Sequence, residues 1–296
     1  MKLFRFYYKQ QVKENIGLAL DDQLIDLHLA AESWGIKLPE TIKELIQNEH
    51  TMMKSLKEVL AEKNAEDLSA FSFSKEAIHF LPVVNESEKI FCLVFNYPQH
   101  AIDYGVEIPT DPIWLNMFNN TLSAHEQDIP LPINANQIDY EGELVVVIGK
   151  QAKFITPEQA KDVIFGYTIG NDLSARDIQH RSSQWALGKT LDYFSPTGPF
   201  IVTSDSIENP NDLHITLTVN GEVRQSENTK HMILTVEELI SYLSQYVTLE
   251  PGDLIFTGTP KGTVAGRNQH NYDWLKSGDI VEVSIDQLGL LRNRLV

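Results

Sequence analysis

Residues 139–149 read Asp-Tyr-Glu-Gly-Glu-Leu-Val-Val-Val-Ile-Gly, and the rest of the chain can be arranged around this stretch. The apolar, Val-rich run after Glu143 predicts a strand that is covered on both faces. Because alternate side chains of a strand share a face, Glu141 and Glu143 would lie together. Val145 and Val147 continue the same face into the interior. Two carboxylates at the edge of a dry face repel each other, so the stretch predicts a compensating cation, for which a metal ion is our first hypothesis.

Composition excludes several classes of partner. The chain has 296 residues and a formal net charge of -17, and nucleic acid and anionic lipid both require a positive surface. No apolar run approaches the ~20 residues of a membrane-spanning helix, and the charged N-terminus lacks the apolar core of a signal peptide. The single cysteine, Cys92, lies in an apolar run, which favours a buried, inert thiol over a nucleophile. We therefore expect a cytoplasmic protein with no nucleic-acid or membrane partner.

The first part of the chain predicts a small α+β domain. Short apolar runs at 3–8, 17–20 and 24–27 predict strands, with a turn at Asp21-Asp22, and 41–47 and 53–60 have helical spacing. A polar linker follows near residue 85. We therefore predict a small N-terminal domain at 1–85 and a larger domain at 86–296.

The larger domain predicts many strands and few long helices. Candidate strands at 90–95, 112–115, 163–169, 254–256, 280–285 and 290–295 accompany the central stretch. Asn220-Gly221 is a strong hairpin signal, and Thr235-Val236-Glu237-Glu238 opens an amphipathic helix that runs to about Tyr246. This pattern favours an α+β, mainly β fold of mixed, largely antiparallel sheet over a doubly wound one.

His100 and Asp103 form one candidate catalytic pair. They lie three residues apart in a predicted helix that Asn96 would cap and Gly105 would end. Neighbours at this spacing can act as a base and its orienting carboxylate. A surface helix with a polar face is the alternative that the spacing alone favours.

A second candidate group follows the predicted strand at 163–169. Asp172 would lie in the turn before a helix that starts near Ser174, and Arg176 and Gln179 would share one face of that helix. A turn-stabilising role for Asp172 and a surface ion pair for Arg176 are equally open. Lys189 follows Gly188, a residue that permits close approach of backbone or ligand, although an exposed lysine after a turn is the alternative.

Glu141, Glu143 and Asp172 together make an all-oxygen ligand set. Such a set suits Mg²⁺, with Mn²⁺ or Ca²⁺ as alternatives, and leaves room for water or a bidentate substrate. The sequence has no zinc-type cluster, nucleophile elbow, P-loop or dinucleotide fingerprint. Solvated carboxylates at alternate strand positions remain the alternative.

A series of motifs from about residue 88 to the C-terminus resembles the catalytic domain of the fumarylacetoacetate hydrolase family. The matching segments are Asn-Tyr-x-x-His at 96–100, Asp-Tyr-Glu-x-Glu at 139–143, Asn-Asp-x-Ser-Ala-Arg-Asp at 171–177, the segment 184–192, Pro-Thr-Gly-Pro at 196–199, Pro-Gly-Asp at 251–253, Thr-Gly-Thr-Pro at 257–260 and Ser-Gly-Asp at 277–279. Residues 1–85 are similar only in general character to the small N-terminal domain of some members.

The resemblance implies a mixed β-roll domain, commonly dimeric, with a divalent cation on two glutamates and an aspartate. These match Glu141, Glu143 and Asp172. It also implies that the cation chelates a 2-oxo acid, which residues matching Arg176, Gln179, Lys189 and Thr259 surround.

In the chemistry that the resemblance implies, Lys189 helps to stabilise the oxyanion of an enolate, and His100, oriented by Asp103, activates water. The leading hypothesis is therefore hydrolytic C–C cleavage of a short 2-oxo or 2,4-dioxo acid. Decarboxylation of an oxaloacetate-type acid and isomerisation of a 2-hydroxy-diene-dioate are the alternative reactions.

Three positions depart from the pattern of many relatives. Val94 stands at a glycine, Asp103 at a glutamate and Met117 at a lysine. The shorter Asp103 would lose its direct contact with His100 or make it through water. Met117 removes a cation from the expected substrate pocket. The alternative to an enzyme is therefore a non-catalytic homologue that binds a 2-oxo acid without turning it over.

Overall fold

The structure, a computed structural model, describes residues 1–11, 13–21, 23–84, 86–267 and 273–296. Asp22, which belongs to the predicted turn, and residue 85, where the predicted boundary falls, lie outside the described residues.

Strands dominate the described ranges. They are β1 (Lys2–Tyr8), β2 (Asn15–Leu20), β3 (Gln23–Asp26), β4 (Ser72–Phe73), β5 (Ile78–Phe80), β6 (Ile90–Val94), β7 (Ile113–Met117), β8 (Leu122–Ala124), β9 (Asp128–Ile129), β10 (Ile138–Asp139), β11 (Gly142–Ile148), β12 (Ile164–Asn171), β13 (Ser174–Ala175), β14 (Ser195–Thr203), β15 (His214–Val219), β16 (Glu222–Asn228), β17 (Leu254–Phe256), β18 (Ile280–Ile285) and β19 (Gly289–Leu295).

The helices are few and mostly short. They are α1 (Leu27–Ser33), α2 (Ile42–Gln47), α3 (Glu49–Glu62), α4 (Ala65–Ser69), α5 (Pro98–Asp103), α6 (Pro157–Ala160), α7 (Arg176–Gln179) and α8 (Val236–Tyr246). Single 3₁₀ turns lie at Lys75–Ala77, Asn119–Thr121, Lys161–Val163, Trp185–Gly188, Ser204–Ser206 and Thr229–His231. None of the described helices is both long and apolar enough to cross a membrane. The predicted α+β, mainly β class is confirmed.

Residues 142–148 of the quoted stretch form β11, an interior strand of the larger sheet. Strand β11 pairs antiparallel with β12 on one side and with β17 on the other, and all its residues are buried. Its faces contribute to two cores: Val146 packs with the smaller sheet, and Val145 and Val147 pack with Cys92 and Phe256. This arrangement confirms the predicted strand with both faces covered. Glu143 opens the Val145 face, whereas Glu141 lies just before the strand.

A smaller sheet covers one face of the larger one. Its strand order is β16-β15-β18-β19-β9, and its apolar residues form one core with those of β11 and β12. The β15–β16 hairpin turns at Asn220 and Gly221, whose φ angles of 51° and 82° are those of a primed turn. The predicted hairpin is therefore confirmed.

The N-terminal strands continue the larger sheet. Strand β1 pairs antiparallel with β14 through Lys2–Val202 and Leu3–Ile201, and β2, β3 and β4 follow outward. The sheet order is β4-β3-β2-β1-β14-β12-β11-β17-β6-β7, so hydrogen bonding is continuous across the two predicted domains.

Two helix starts differ from the sequence expectation. Tyr97, and not Asn96, caps α5, because the Asn96 side chain bonds instead to the backbone of Leu234 and Thr257. Ser174 pairs with Asp139 in a short strand contact, so α7 begins later, at Arg176. By contrast, the predicted capping box of α8 forms between Thr235 and Glu238.

Candidate active site

A cavity of about 260 Å³ lies at the start of β11, and we refer to it as the site cavity. Seven of the nine site residues predicted from the sequence line it: His100, Glu141, Glu143, Arg176, Gln179, Lys189 and Thr259. Asp172 lies beside them, fully buried, in contact with Lys189. Asp103 is the predicted residue that lies elsewhere.

Glu141 lies between two buried cations. Arg176 Nη2 donates to Glu141 Oε1 at 2.5 Å, and Lys189 Nζ donates to Glu141 Oε2 at 2.5 Å. Burial opposes ionisation of Glu141, but Lys189 and Arg176 outweigh it and lower the pKa of Glu141 to about 2. Burial likewise opposes the charge of Lys189, but Asp172 and Glu141 raise the pKa of its ammonium well above the usual value. Both groups therefore remain charged at neutral pH.

Asp139 is a second carboxylate partner of Arg176, and Arg176 Nη2 contacts both Asp139 and Glu141. Arg176 Nε donates to Asp139 Oδ2 at 2.9 Å, and Arg176 Nη1 donates to Gln179 Oε1 at 2.9 Å. The backbone N–H groups of Val264 and Ala265 donate to the same Asp139 carboxylate. The sequence interpretation gave Asp139 no role, although it opens the quoted stretch. A charged residue at the start of an otherwise buried segment was the available signal.

Glu143, Asp172 and Cys92 form a compact cluster of atoms that could bind a metal ion. Asp172 Oδ2 accepts from Lys189 Nζ at 2.7 Å and from Cys92 Sγ at 2.9 Å, and Glu143 Oε2 accepts from the Gly258 N–H at 2.7 Å. One potential metal-ligand atom from each of the three residues lies within 4.8 Å of the others. Burial raises the pKa of Glu143 well above its usual range, and the neighbouring Asp172 and Glu141 carboxylates raise it further.

The cluster fits a divalent cation on two grounds. Asp172 Oδ1 is buried and has no hydrogen-bond partner among the residues that the structure describes. A cation would also relieve the repulsion that disfavours the charged form of Glu143. Glu141, the third predicted ligand, is outside this cluster, and both of its oxygens contact Arg176 or Lys189.

His100 is buried in the wall of the site cavity, away from Asp103. His100 Nε2 lies 4.0 Å from Glu141 Oε1, and the ring packs against Phe95 and Tyr104. Burial lowers the pKa of His100 to about 4, so the imidazole is neutral near pH 7. Within the described part of the chain, its Nδ1 has no hydrogen-bond partner.

The structure does not form the predicted pair of His100 and Asp103. Asp103 is exposed at the last residue of α5, and it accepts from Gln99 Nε2 at 2.8 Å. Their spacing of three residues does not bring them together, because His100 points into the cavity and Asp103 points to solvent.

Hydrogen bonds hold the Thr259 hydroxyl, and the residue before Lys189 packs closely against Gln179. Thr259 Oγ1 donates to the Gly142 carbonyl at 3.0 Å and accepts from Gln225 Nε2 at 2.9 Å, a partner that sequence reasoning missed. A Cβ on Gly188 would lie 2.5 Å from the Gln179 Cβ. The predicted close approach at Gly188 is confirmed, and the next residue, Lys189, lines the site cavity.

Met117 and Val94, two residues that differ from the pattern of many relatives, lie in different surroundings. Met117 is buried, and the Ser195 hydroxyl donates to its sulfur at 3.1 Å. It does not line the site cavity, whereas Val94 and Leu115 do. The missing lysine therefore maps to a core position beside the cavity.

The chain is similar to a family of known enzymes and to solved structures. Residues 89–296 match the model of the fumarylacetoacetate (FAA) hydrolase C-terminal domain. The mitochondrial oxaloacetate tautomerase of Xenopus laevis is 36% identical over 300 residues, with 100% of this chain and 90% of that protein covered. A putative HpcE protein from Mycobacterium smegmatis has a TM-score of 0.83 at 30% identity, with 100% and 99% of the two chains covered.

A further solved neighbour holds a metal ion. The maleylpyruvate hydrolase of Sphingobium sp. SYK-6, in complex with manganese(II) and pyruvate, has a TM-score of 0.78 at 25% identity, with 100% of this chain and 99% of that chain covered. The relatives are thus enzymes of several reaction types. With its family match covering most of the sequence, this chain belongs to the fumarylacetoacetate hydrolase family.

Proposed function

We propose that this protein is a divalent-metal-dependent enzyme that moves a proton between C3 and the 2-oxo oxygen of a short 2-oxo acid. Oxaloacetate is the substrate to test first. The observation that carries the proposal is that a neutral imidazole, His100, shares one small cavity with two protonated cations, Arg176 and Lys189. The similarity to an oxaloacetate tautomerase over the whole chain supports the same reaction.

Glu143 and Asp172 would hold the metal, with Glu141 as the third ligand that the family resemblance implies. The sequence favours Mg²⁺, and the solved neighbour contains manganese(II). When bound, the divalent ion would supply Lewis-acid stabilisation of negative charge on the 2-oxo oxygen.

The chain's own residues supply binding and proton transfer. Arg176 presents a planar guanidinium suited to a substrate carboxylate, and Gln179 and Thr259 line the same cavity and would orient the acid. Lys189 keeps its proton and donates a hydrogen bond to charge that develops on the 2-oxo oxygen. His100 is neutral, and its Nδ1 has no hydrogen-bond partner among the described residues. It accepts the proton from C3 and passes it to the 2-oxo oxygen, and the reverse transfer converts the enol to the keto form. The apolar wall of Leu93, Phe95 and Leu115 limits the access of water.

The test follows the ultraviolet absorbance of the oxaloacetate enol as it converts to the keto form, with Mg²⁺, with Mn²⁺ and with a chelator. We expect His100→Gln to lower kcat at least about 100-fold, because a positioned proton acceptor contributes at least this much. Asp103→Asn is the matched control on the same helix and should leave kcat unchanged, since Asp103 bonds to Gln99 and not to His100. Full activity of His100→Gln would exclude the proposed acceptor.

Hydrolytic C–C cleavage, the leading expectation from the sequence, is the second candidate. The similarity to a maleylpyruvate hydrolase favours it. It would require His100 to activate water with no hydrogen-bonded carboxylate among the described residues, since Asp103 bonds to Gln99 and Glu141 Oε1 lies 4.0 Å from His100 Nε2. This weakens hydrolysis relative to proton transfer. A panel of acylpyruvates, oxaloacetate and unsaturated 2-oxo diacids separates hydrolysis, decarboxylation and isomerisation by their products. Binding of oxalate and metal with no turnover of any of them would support the non-catalytic rival.

Partners and location are proposed from the sequence. We propose a homodimer that acts on a small acid and binds no nucleic acid, in keeping with the net charge of -17. Light scattering on the purified protein tests the dimer. The cytoplasmic location remains a prediction, and the Xenopus laevis relative carries a mitochondrial designation.

A further inference from the structure

Cys92 is the one thiol of the sequence, and the proposed proton transfer does not use it. It lies on β6, is 2% exposed and faces the cluster of carboxylates. Its Sγ is 2.9 Å from Asp172 Oδ2 and 4.0 Å from Glu143 Oε1. A sulfur atom is therefore part of the surface that a cation between Glu143 and Asp172 would meet.

The neighbouring oxygens indicate where such a cation would bind. Asp172 is fully buried, and its Oδ1 has no partner in the described part of the chain. Glu143 has one oxygen on the Gly258 N–H and the other facing Cys92. Because both oxygens of Glu141 contact protein cations, the donor atoms that lie within ligand distance of one another come from Cys92, Glu143 and Asp172.

We propose that Cys92 contributes its sulfur to the divalent-ion site and biases this site towards Co²⁺ and Zn²⁺ over Mg²⁺. Thiolate ligands favour softer ions, whereas Mg²⁺ prefers oxygen. The S–H bond breaks and the proton leaves to solvent, while the sulfur–ion bond replaces one of the waters bound to the ion, and no oxidation state changes. The inference rests on the proposed function only in that it uses the same ion site.

The test titrates the full-length, metal-free protein with Co²⁺ and records the near-ultraviolet sulfur-to-cobalt absorption band. Because the sequence has a single cysteine, any such band belongs to Cys92. We expect a band that saturates at one ion per chain and is absent in Cys92→Ser. Calorimetric titrations should show that Cys92→Ser loses at least about tenfold in Co²⁺ affinity relative to Mg²⁺ affinity.

Ile90→Val is the matched control, because Ile90 lies on the same strand and in the same core as Cys92. It should keep the band and the ratio of affinities. Co²⁺ binding without a sulfur band, or no Co²⁺ binding at all, would overturn the proposal, and this measurement on the unaltered protein does not depend on how the variant folds. Turnover without a band overturns only this inference, whereas a band without turnover overturns only the proposed function.

Discussion

Replacing Glu141 by Gln tests the charge arrangement on which the site depends. Glu141 joins Arg176 and Lys189, and all three side chains are buried. A pKa of about 2, against the usual 4.5, corresponds to about 3 kcal/mol of stability at neutral pH. This contribution is present above about pH 4.5 and is lost as pH falls towards 2, because the folded state then takes up the proton that the unfolded state already holds. We therefore expect Glu141→Gln to lower the free energy of unfolding at pH 7 by about 3 kcal/mol.

The assay is urea unfolding in a chelator, followed by tryptophan fluorescence, for Glu141→Gln, Lys189→Met and the double variant. Because each single change leaves a buried charge with fewer partners, the double variant should lose at least about 1 kcal/mol less than the sum of the single losses. Asp128→Asn is the control, since Asp128 contacts Arg294 at a similar distance on the surface and its loss should have no measurable effect.

Additive losses would refute the reasoning, since they would mean that Glu141 and Lys189 do not interact. The same variants test the ligand that the family resemblance implies. If Glu141 binds the ion, Mg²⁺ should stabilise the unaltered protein and fail to stabilise Glu141→Gln. If Mg²⁺ stabilises both proteins equally, Glu141 binds Arg176 and Lys189 but is not a ligand of the ion.

Three further outcomes are expected. Gly188→Ala should lower kcat/KM at least about tenfold, because its Cβ would displace the Gln179 segment and move Lys189, as steady-state kinetics would show. His125→Gln should reduce the loss of stability between about pH 6.5 and pH 4 seen in urea unfolding, because burial lowers the pKa of His125 to about 4 and only the unfolded state is protonated in that window. Thr235→Ala should lower the free energy of unfolding in urea by about 1 kcal/mol, because the hydroxyl caps the N-terminus of α8. Thr235→Ser keeps the hydroxyl and should retain the original free energy of unfolding.

The elements that were predictable from the sequence are those whose signal is local. The run around Val145 predicts a buried strand, because the alternation of side chains and the preference of β-branched residues for strands are both set within a few positions. Asn220-Gly221 fixes its hairpin through φ angles that few other residue pairs adopt. Thr235 fixes the start of α8 through a bond to a residue three positions on.

The contacts that were not predictable join residues distant in the sequence. Arg176 bonds to Asp139, 37 positions earlier, and Cys92 contacts Asp172, 80 positions later. The pairing of β1 with β14 likewise joins residues about 200 positions apart, so a boundary drawn from composition did not reveal a continuous sheet. Local pattern carries no information on such pairs, since tertiary packing determines them.

His100 and Asp103 show that a local spacing rule can also predict a contact that the structure lacks. Their spacing satisfies the rule for helical neighbours, but α5 is only six residues long and its orientation buries His100. Asp103 at its end then turns to Gln99 and solvent. A spacing rule gives proximity along a helix, but only the packing of that helix decides which side chain enters a cavity.

The balance of charges at the site would link the proposed binding of a metal to the proposed binding of a substrate. Asp139, Glu141, Glu143 and Asp172 supply four carboxylates, and Arg176 and Lys189 supply two cations that already contact three of them. When all are ionised, two negative charges remain, and a substrate carboxylate would add to them. In the proposed function, a divalent ion would offset that excess and let Arg176 and Lys189 share their hydrogen bonds with the acid. Since linkage is reciprocal, the acid must then raise the affinity for the ion by the factor by which the ion raises the affinity for the acid.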